Sequence, residues 1–93
     1  MAKLTAAQIK SALVGVPEWT KRGGAITRTF QFKDFPAAIK FVNALAKIAE
    51  RAYHHPDIDI RYNTVTMALV SHDSGGVTQR DIRMAGVINK IAG

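Results

Sequence analysis

The sequence has no cysteine, few aromatic residues and no long hydrophobic run. Its 93 residues include 0 Cys, 3 Pro and 8% aromatic residues. Without cysteine, disulfide scaffolds, thiol nucleophiles and thiolate metal ligands are all excluded. No apolar stretch approaches the roughly 18 residues of a membrane-spanning helix, and the first residues lack the apolar segment of a secretory signal. We therefore expect a cytoplasmic protein that does not associate with a membrane.

Length and charge narrow the class of protein further. A domain typically holds roughly 100–200 residues, so we expect residues 1–93 to form one domain. The 47% apolar content is typical of a globular fold. The net charge of +6 invites a nucleic-acid hypothesis. However, the basic residues are scattered, with Lys21 and Arg22 the only adjacent pair, so we expect no direct nucleic-acid binding.

Cap signals and 3.6-residue periodicity predict three helices. Thr5 and Gln8 are spaced as a capping box, as are Thr78 and Asp81 near the end of the chain. Asp34 can cap a longer, strongly amphipathic helix. The predicted helices run from Thr5 to Val14, from Asp34 to the residue before Pro56, and from Thr78 onward.

Alternation of apolar and polar residues predicts four strands, over residues 18–22, 26–32, 58–62 and 65–72. The short connections within each strand pair favour an antiparallel sheet. We therefore predict an α+β fold, a four-stranded antiparallel sheet with three helices on one face, in the order α-β-β-α-β-β-α. The other sheet face, partly apolar at Ala68 and Val70, is expected to promote self-association.

The histidines are the residues best suited to chemistry. All three, His54, His55 and His72, fall within nineteen residues, and imidazole transfers protons near neutral pH. Glu50 lies four residues before His54, so on a continuing helix its carboxylate would meet that ring. A helix end and a strand end can converge on one cleft, which would gather the three rings around a ligand.

Other interpretations of these residues stay open at this point. Three histidines can bind zinc, but adjacent side chains usually point apart and no cysteine is available, so we expect no metal site. Each histidine can equally be an ordinary surface or capping residue. Trp19 fits core packing or stacking on a flat heterocycle. Arg80 and Asp81 fit the first turn of the last helix.

Several of these residues also belong to one longer pattern of fixed spacing. The order and spacing resemble the signature of the pterin-4a-carbinolamine dehydratases, and its fixed positions are filled by Glu50, His54-His55-Pro56, Tyr62, His72 and Asp81. The resemblance extends upstream to Trp19, to Ala25-Ile26-Thr27-Arg28-Thr29-Phe30 and to Phe32-Lys33-Asp34-Phe35. Nearly the whole chain is covered, and the order of elements in that family agrees with the predicted order.

This resemblance implies a lyase that removes water from a 4a-hydroxytetrahydropterin to give a quinonoid dihydropterin. It implies His54 and His72 as the acid/base pair, His55 as a pterin-binding residue and Glu50 as the support of His54. Trp19, Arg80 and Asp81 would line or brace the pocket. No metal or redox cofactor is implied.

The resemblance also implies partners. These are a homodimer or homotetramer and a functional link to an aromatic amino acid hydroxylase, whose tetrahydrobiopterin the reaction recycles. The alternative is a non-catalytic binding or assembly module on the same scaffold, since some family members serve a homeodomain transcription factor as a dimerisation cofactor.

Overall fold

Side-chain caps set where the helices of this chain begin. In the computed structural model, which describes residues 2–93, Thr5, Asp34 and Thr78 each accept a hydrogen bond from a backbone N–H of the following turn. Both predicted capping boxes form. The helices are α1 (Ala6–Ala12), α2 (Phe35–Ala52) and α3 (Gln79–Ala92). Within residues 2–93, no helix combines the length and apolar character needed to cross a bilayer.

The end of α2 differs from the prediction. The helix stops at Ala52 because Tyr53 adopts the left-handed conformation, with φ 51° and ψ 38°. The backbone N–H of His54 then closes the helix by donating to the Ala49 carbonyl at 3.1 Å. His54 and His55 therefore lie outside the helix, and the expected continuation of α2 as far as the residue before Pro56 was wrong.

The strands form the predicted antiparallel sheet. They are β1 (Thr20–Arg22), β2 (Ala25–Gln31), β3 (Asp57–Arg61) and β4 (Thr64–Leu69), in the spatial order β1-β2-β4-β3. Every neighbouring pair is antiparallel. Two tight turns join β1 to β2 and β3 to β4, and Gly23, at φ 60°, lies in the first of them.

The three helices pack on a single face of this sheet. Ile26 lies opposite Leu69 and Phe30 opposite Val65, and residues directly opposite one another on paired strands point to the same face. These side chains are buried in one cluster with apolar residues from all three helices, among them Ile9, Leu45 and Ile88. The fold class predicted from the sequence is confirmed.

The other sheet face and the outer edge strand are left uncovered by the helices. On the open face Thr29 and Thr66 lie side by side, with their hydroxyl oxygens 3.0 Å apart, and Thr27 lies opposite Ala68. Strand β3 is exposed at every position. Ile58 and Ile60 lie on the helix side of the sheet, yet they remain 39% and 38% exposed. Within the sheet, the most exposed large aliphatic side chains are therefore at the β3 edge, whereas Ala68 and Val70 on the open face are half-buried.

Replacing Tyr53 by glycine is expected to stabilise the fold. The left-handed conformation costs an L-residue roughly 1–2 kcal/mol, and the Tyr53 side chain is 86% exposed, so little packing is lost. Urea unfolding of Tyr53→Gly should show a gain of about 1 kcal/mol, after allowance for the greater freedom of glycine in the unfolded chain.

Tyr53→Ala is the matched control, since alanine truncates the side chain but keeps the backbone strain. A glycine variant no more stable than the alanine variant would contradict the role of this conformation.

Candidate active site

The turn at Tyr53 directs His54 into the protein. The His54 side chain is 9% exposed, and its Nε2 lies 2.5 Å from Oδ1 of Asp81, a carboxylate that is fully buried in the first turn of α3. This contact joins residues 27 positions apart. It therefore fixes the end of α2 against the beginning of α3.

The second carboxylate oxygen of Asp81 is also fully engaged. Oδ2 accepts from the Ser71 hydroxyl at 2.9 Å and from the Thr78 backbone N–H at 2.8 Å. Ser71 and Thr78 are themselves linked, with their hydroxyl oxygens 2.9 Å apart. A buried carboxylate without hydrogen-bond donors would strongly destabilise the folded state. Asp81 can therefore be buried only because these donors are present.

His55 faces the opposite way, toward solvent and Glu50. Its Nε2 lies 2.8 Å from Glu50 Oε1, and the two side chains are 60% and 79% exposed. The prediction that Glu50 meets His54 was therefore wrong. It assumed that the helix continues, whereas the turn at Tyr53 takes His54 to Asp81 and leaves His55 beside Glu50. Such an exposed pair adds little to stability.

His72 lies in the loop between β4 and α3. It opens a short 3₁₀ turn, His72–Ser74, instead of closing the strand as predicted, because β4 ends at Leu69. Backbone hydrogen bonds between Ser71 and Gly76 close the base of this loop at 3.0 and 3.3 Å. His72 is thereby held at the surface, one residue after the buried Ser71.

An ion pair braces the same loop against α3. Arg80 Nη2 donates to Asp73 Oδ1 at 2.5 Å. This hydrogen bond, assisted by the positive charge of the guanidinium, holds the pKa of the Asp73 carboxyl below its usual value. The neighbouring Arg80 Nε is buried and has no hydrogen-bond partner within residues 2–93.

These elements surround one cavity. It has a volume of about 240 Å³ and is lined by Tyr53, His54, His55, Val70, Ser71, His72, Asp73 and Arg80. The structure thus brings all three histidines and Arg80 together, with Asp81 behind His54. A second, more apolar cavity of about 430 Å³ between α2 and α3 shares His54 and Arg80 as walls. Among residues 2–93, no three acidic or histidine side chains are grouped so as to hold a metal ion.

Trp19 lies elsewhere, so the expectation that it lines or braces this pocket was wrong. Its indole is buried, and Nε1 donates to Asn89 Oδ1 at 2.8 Å. Asn89 is eight residues along α3 from Asp81, about 12 Å at the rise of an α-helix. The ring also meets Phe30 edge to face, with centroids 6.3 Å apart. The core-packing interpretation of this tryptophan is the one that the structure supports.

Sequence reasoning missed Ser71 and the side-chain role of Thr78. Thr78 had been recognised only as a helix cap, whereas its hydroxyl also meets Ser71. A signal for Ser71 existed: it continues the alternation of Val65, Met67 and Leu69, so it is a polar residue at an inward-facing position. Polar groups in such positions need a buried partner.

The family model described as pterin 4 alpha carbinolamine dehydratase matches residues 2–91. The chain belongs to this family. A protein of Koribacter versatilis named "Putative pterin-4-alpha-carbinolamine dehydratase" is 56% identical over 88 residues, which cover 95% of this chain and 94% of that protein. A Chloroflexus aurantiacus protein of the same name is 48% identical, with both chains covered completely.

Solved structures of pterin dehydratase-like proteins share the fold. A transcriptional coactivator/pterin dehydratase from Brucella melitensis superposes with a TM-score of 0.93 at 42% identity, covering 98% of this chain and 99% of that one. A pterin dehydratase-like protein described as a RuBisCO assembly factor in the alpha-carboxysome gives a TM-score of 0.72 at 22% identity, covering 82% and 90%. This second likeness concerns the fold alone.

Removal of the Arg80 guanidinium should raise the pKa of Asp73 toward its usual value. In the variant Arg80→Met, the carboxyl loses the hydrogen bond and the positive charge that favour its ionised form. The ion pair exists only while Asp73 is ionised, so in the wild type it is lost as the pH falls through this lowered pKa. A carboxyl ¹³C NMR titration measures the shift.

Arg83→Met is the matched control, since Arg83 lies on the same helix and makes no ion pair within residues 2–93. An Asp73 titration curve that is the same in Arg80→Met as in the wild type would show that the contact is absent in solution.

Proposed function

We propose that this protein is a hydro-lyase that dehydrates a 4a-hydroxytetrahydropterin. The observation that carries the proposal is the cavity lined by His54, His55 and His72, in which His54 is backed by the buried carboxylate of Asp81. Membership of the dehydratase family supports the choice of substrate. The names of the relatives give the activity of those proteins and carry it to this chain only as part of the proposal.

The proposed reaction is an elimination that balances without a redox partner. A base takes the proton from N5, the N–H electron pair forms the C4a–N5 double bond, and the C4a–O bond breaks. An acid gives a proton to the departing hydroxyl, so that water leaves and a quinonoid dihydropterin remains. The chemistry therefore asks for two proton-transfer groups on one cavity, which histidine side chains can supply.

We assign His54 and His72 as these two groups. Both line the cavity, and they come from different segments, the turn after α2 and the loop after β4. His55, oriented by Glu50, would bind the pterin at the cavity rim. Arg80, which lines the same cavity, would donate from its guanidinium group to a carbonyl of the ring. Asp81 would act through His54 rather than on the substrate.

The proposed role is the recycling of tetrahydrobiopterin after an aromatic amino acid hydroxylase has turned over. In this role the protein acts on a small molecule released by another enzyme, in the cytoplasm, and needs neither a metal nor a redox cofactor for the elimination itself.

A dehydration assay tests the proposal directly. The 4a-hydroxytetrahydropterin is generated in situ, and formation of the quinonoid product is followed with wild type, His54→Ala, His72→Ala and no protein. The wild type should accelerate the reaction. Each variant should lose on the order of 10²-fold or more in kcat, down to the spontaneous rate, because a proton-transfer group has been removed.

Lys47→Ala is the control variant, an exposed position on α2 outside the cavity. A folded wild-type protein whose trace overlays the blank would overturn the enzyme proposal and favour the non-catalytic binding module instead. Loss in one histidine variant alone would overturn the pairing of His54 with His72.

We also propose that the protein is a homodimer or homotetramer, with the β3 edge as a contact surface. Strand β3 has unpaired backbone groups along its outer side, and it carries the exposed Ile58 and Ile60. An exposed apolar edge strand readily pairs with another chain. We propose this surface in preference to the sheet face suggested by the sequence, because Ile58 and Ile60 are exposed whereas Ala68 and Val70 are half-buried.

A charge at this edge should weaken the assembly. Sedimentation velocity at fixed protein concentration should give a dimer or larger species for the wild type and a smaller one for Ile58→Lys and Ile60→Lys, because a charged side chain at the contact must be desolvated. Lys47→Ala should behave as wild type. A monomeric wild type would contradict the proposal, and an unchanged assembly in both lysine variants would exclude the β3 edge.

A further inference from the structure

The hydroxyl groups of Thr78 and Ser71 form a chain of hydrogen bonds that leads to Asp81, and each donor in this chain points toward the carboxylate. The Thr78 hydroxyl accepts from the Arg80 backbone N–H at 3.2 Å, so its own proton is free to go to the Ser71 oxygen, 2.9 Å away. The Ser71 hydroxyl in turn donates to Asp81 Oδ2 at 2.9 Å. Because each hydroxyl has a single proton, the chain from Arg80 through Thr78 and Ser71 ends as a donor to the carboxylate.

This direction favours one tautomer of the neutral His54 ring. Asp81 Oδ2 already accepts two hydrogen bonds, from Ser71 and from the Thr78 backbone, and the carboxylate oxygens act as acceptors. With Asp81 ionised, Oδ1 can only accept, so in the contact at 2.5 Å between Asp81 Oδ1 and His54 Nε2 the proton belongs to the ring nitrogen. In the neutral ring, Nδ1 then carries the lone pair, and no hydrogen-bond partner within residues 2–93 occupies it.

We propose that Ser71 and Thr78 are positioning residues that hold Asp81 so that His54 keeps its proton on Nε2 and presents Nδ1 as the base of the reaction. The role of His54 as a base rests on the proposed function. The tautomer of its ring does not, because it is a property of the protein without substrate. It leaves His72, the exposed histidine on the other side of the cavity, as the acid that protonates the leaving hydroxyl.

The Ser71 hydroxyl holds Asp81 in place in addition to filling space in the interior. Ser71 and Asp81 are almost completely buried, at 2% and 0% exposed, so no bulk water can replace a missing donor without opening the structure. Without the Ser71 hydroxyl, Oδ2 of Asp81 keeps only the Thr78 N–H as a donor, so the carboxylate is held by one hydrogen bond fewer. The His54 ring, which has Asp81 as its only hydrogen-bond partner among residues 2–93, then loses its fixed orientation.

The experiment combines a structural and a kinetic measurement on the full chain. Long-range ¹H–¹⁵N NMR correlations distinguish the protonated from the unprotonated nitrogen of the His54 ring, and steady-state dehydration kinetics separate kcat from KM. The variants are Ser71→Ala, which removes the hydroxyl, and Ser71→Thr, which keeps a hydroxyl at this position. Thr66→Val is the matched control, since it removes a hydroxyl from β4 on the open face of the sheet, away from Asp81.

We expect a single Nε2–H tautomer in the wild type and in Ser71→Thr, and a mixture of tautomers in Ser71→Ala. The kcat of Ser71→Ala should fall roughly 10- to 100-fold, the range of one hydrogen bond to a charged group, while KM changes by less than about threefold because no substrate contact is lost. Thr66→Val should match the wild type in both measurements.

If Ser71→Ala does not fold, Thr78→Gly provides the same test. Glycine is nearly as good a helix cap as threonine, yet it removes the hydroxyl that donates to Ser71. The tautomer mixture and the fall in kcat are then expected in this variant, with smaller amplitude.

Three outcomes would overturn the inference. A wild-type ring protonated on Nδ1 would reverse the assignment. An unchanged tautomer and kcat in Ser71→Ala would remove the positioning role. A rise in KM with the tautomer unchanged would make Ser71 a substrate contact instead. Absence of turnover in the wild type would defeat the proposed function, while the NMR measurement would still decide the tautomer.

Discussion

The buried carboxylate of Asp81 is the constraint on which the rest of this site depends. It caps α3 through the Thr78 backbone, holds the strand end through Ser71 and fixes His54 at the exit of α2. Three separate segments thus meet at one charged group. Because a buried ion that loses a partner is destabilising by several kcal/mol, the fold can place this residue in the interior only if all of its donors arrive together.

The adjacent histidines show how one backbone angle separates two environments. The left-handed turn at Tyr53 reverses the chain, so His54 is buried against a carboxylate while His55 stays in solvent beside another. Exposed pairs such as His55 with Glu50 are screened by water and have little influence on the structure. The buried pair cannot be moved without cost, so it fixes the part of the cavity wall that His54 forms.

Much of the architecture could be predicted because it depends on local signals. The caps at Thr5, Asp34 and Thr78 and the alternation in the strands lie within a few residues of the elements that they define. The end of α2 could not, since neither glycine nor asparagine marks the left-handed position that Tyr53 occupies. The predicted partner of Glu50 was wrong for the same reason, because that prediction assumed helical spacing between Glu50 and His54.

The sequence was enough to name most residues around the cavity, but not to predict which of them contact one another. Spacing and the family resemblance selected the histidines, Arg80 and Asp81, whereas the buried position of Trp19 and the hydroxyl of Ser71 depend on contacts made across the chain. Trp19 finds its partner 70 residues away, at Asn89. No pattern within one segment reveals such a distance, although the inward-facing serine at the end of β4 offered a hint that a polar partner was buried nearby.

The closure of the loop between β4 and α3 has a consequence for how the molecule moves. The bonds that start α3 are the same bonds that hold the histidine, so the first helical turn cannot fray while the cavity wall stays in place. The end of α2, the loop and the beginning of α3 should open together as one cooperative unit, in the manner of a foldon seen by hydrogen exchange. The same few contacts that keep this small chain folded would thereby also keep the pocket preorganised for a bound molecule.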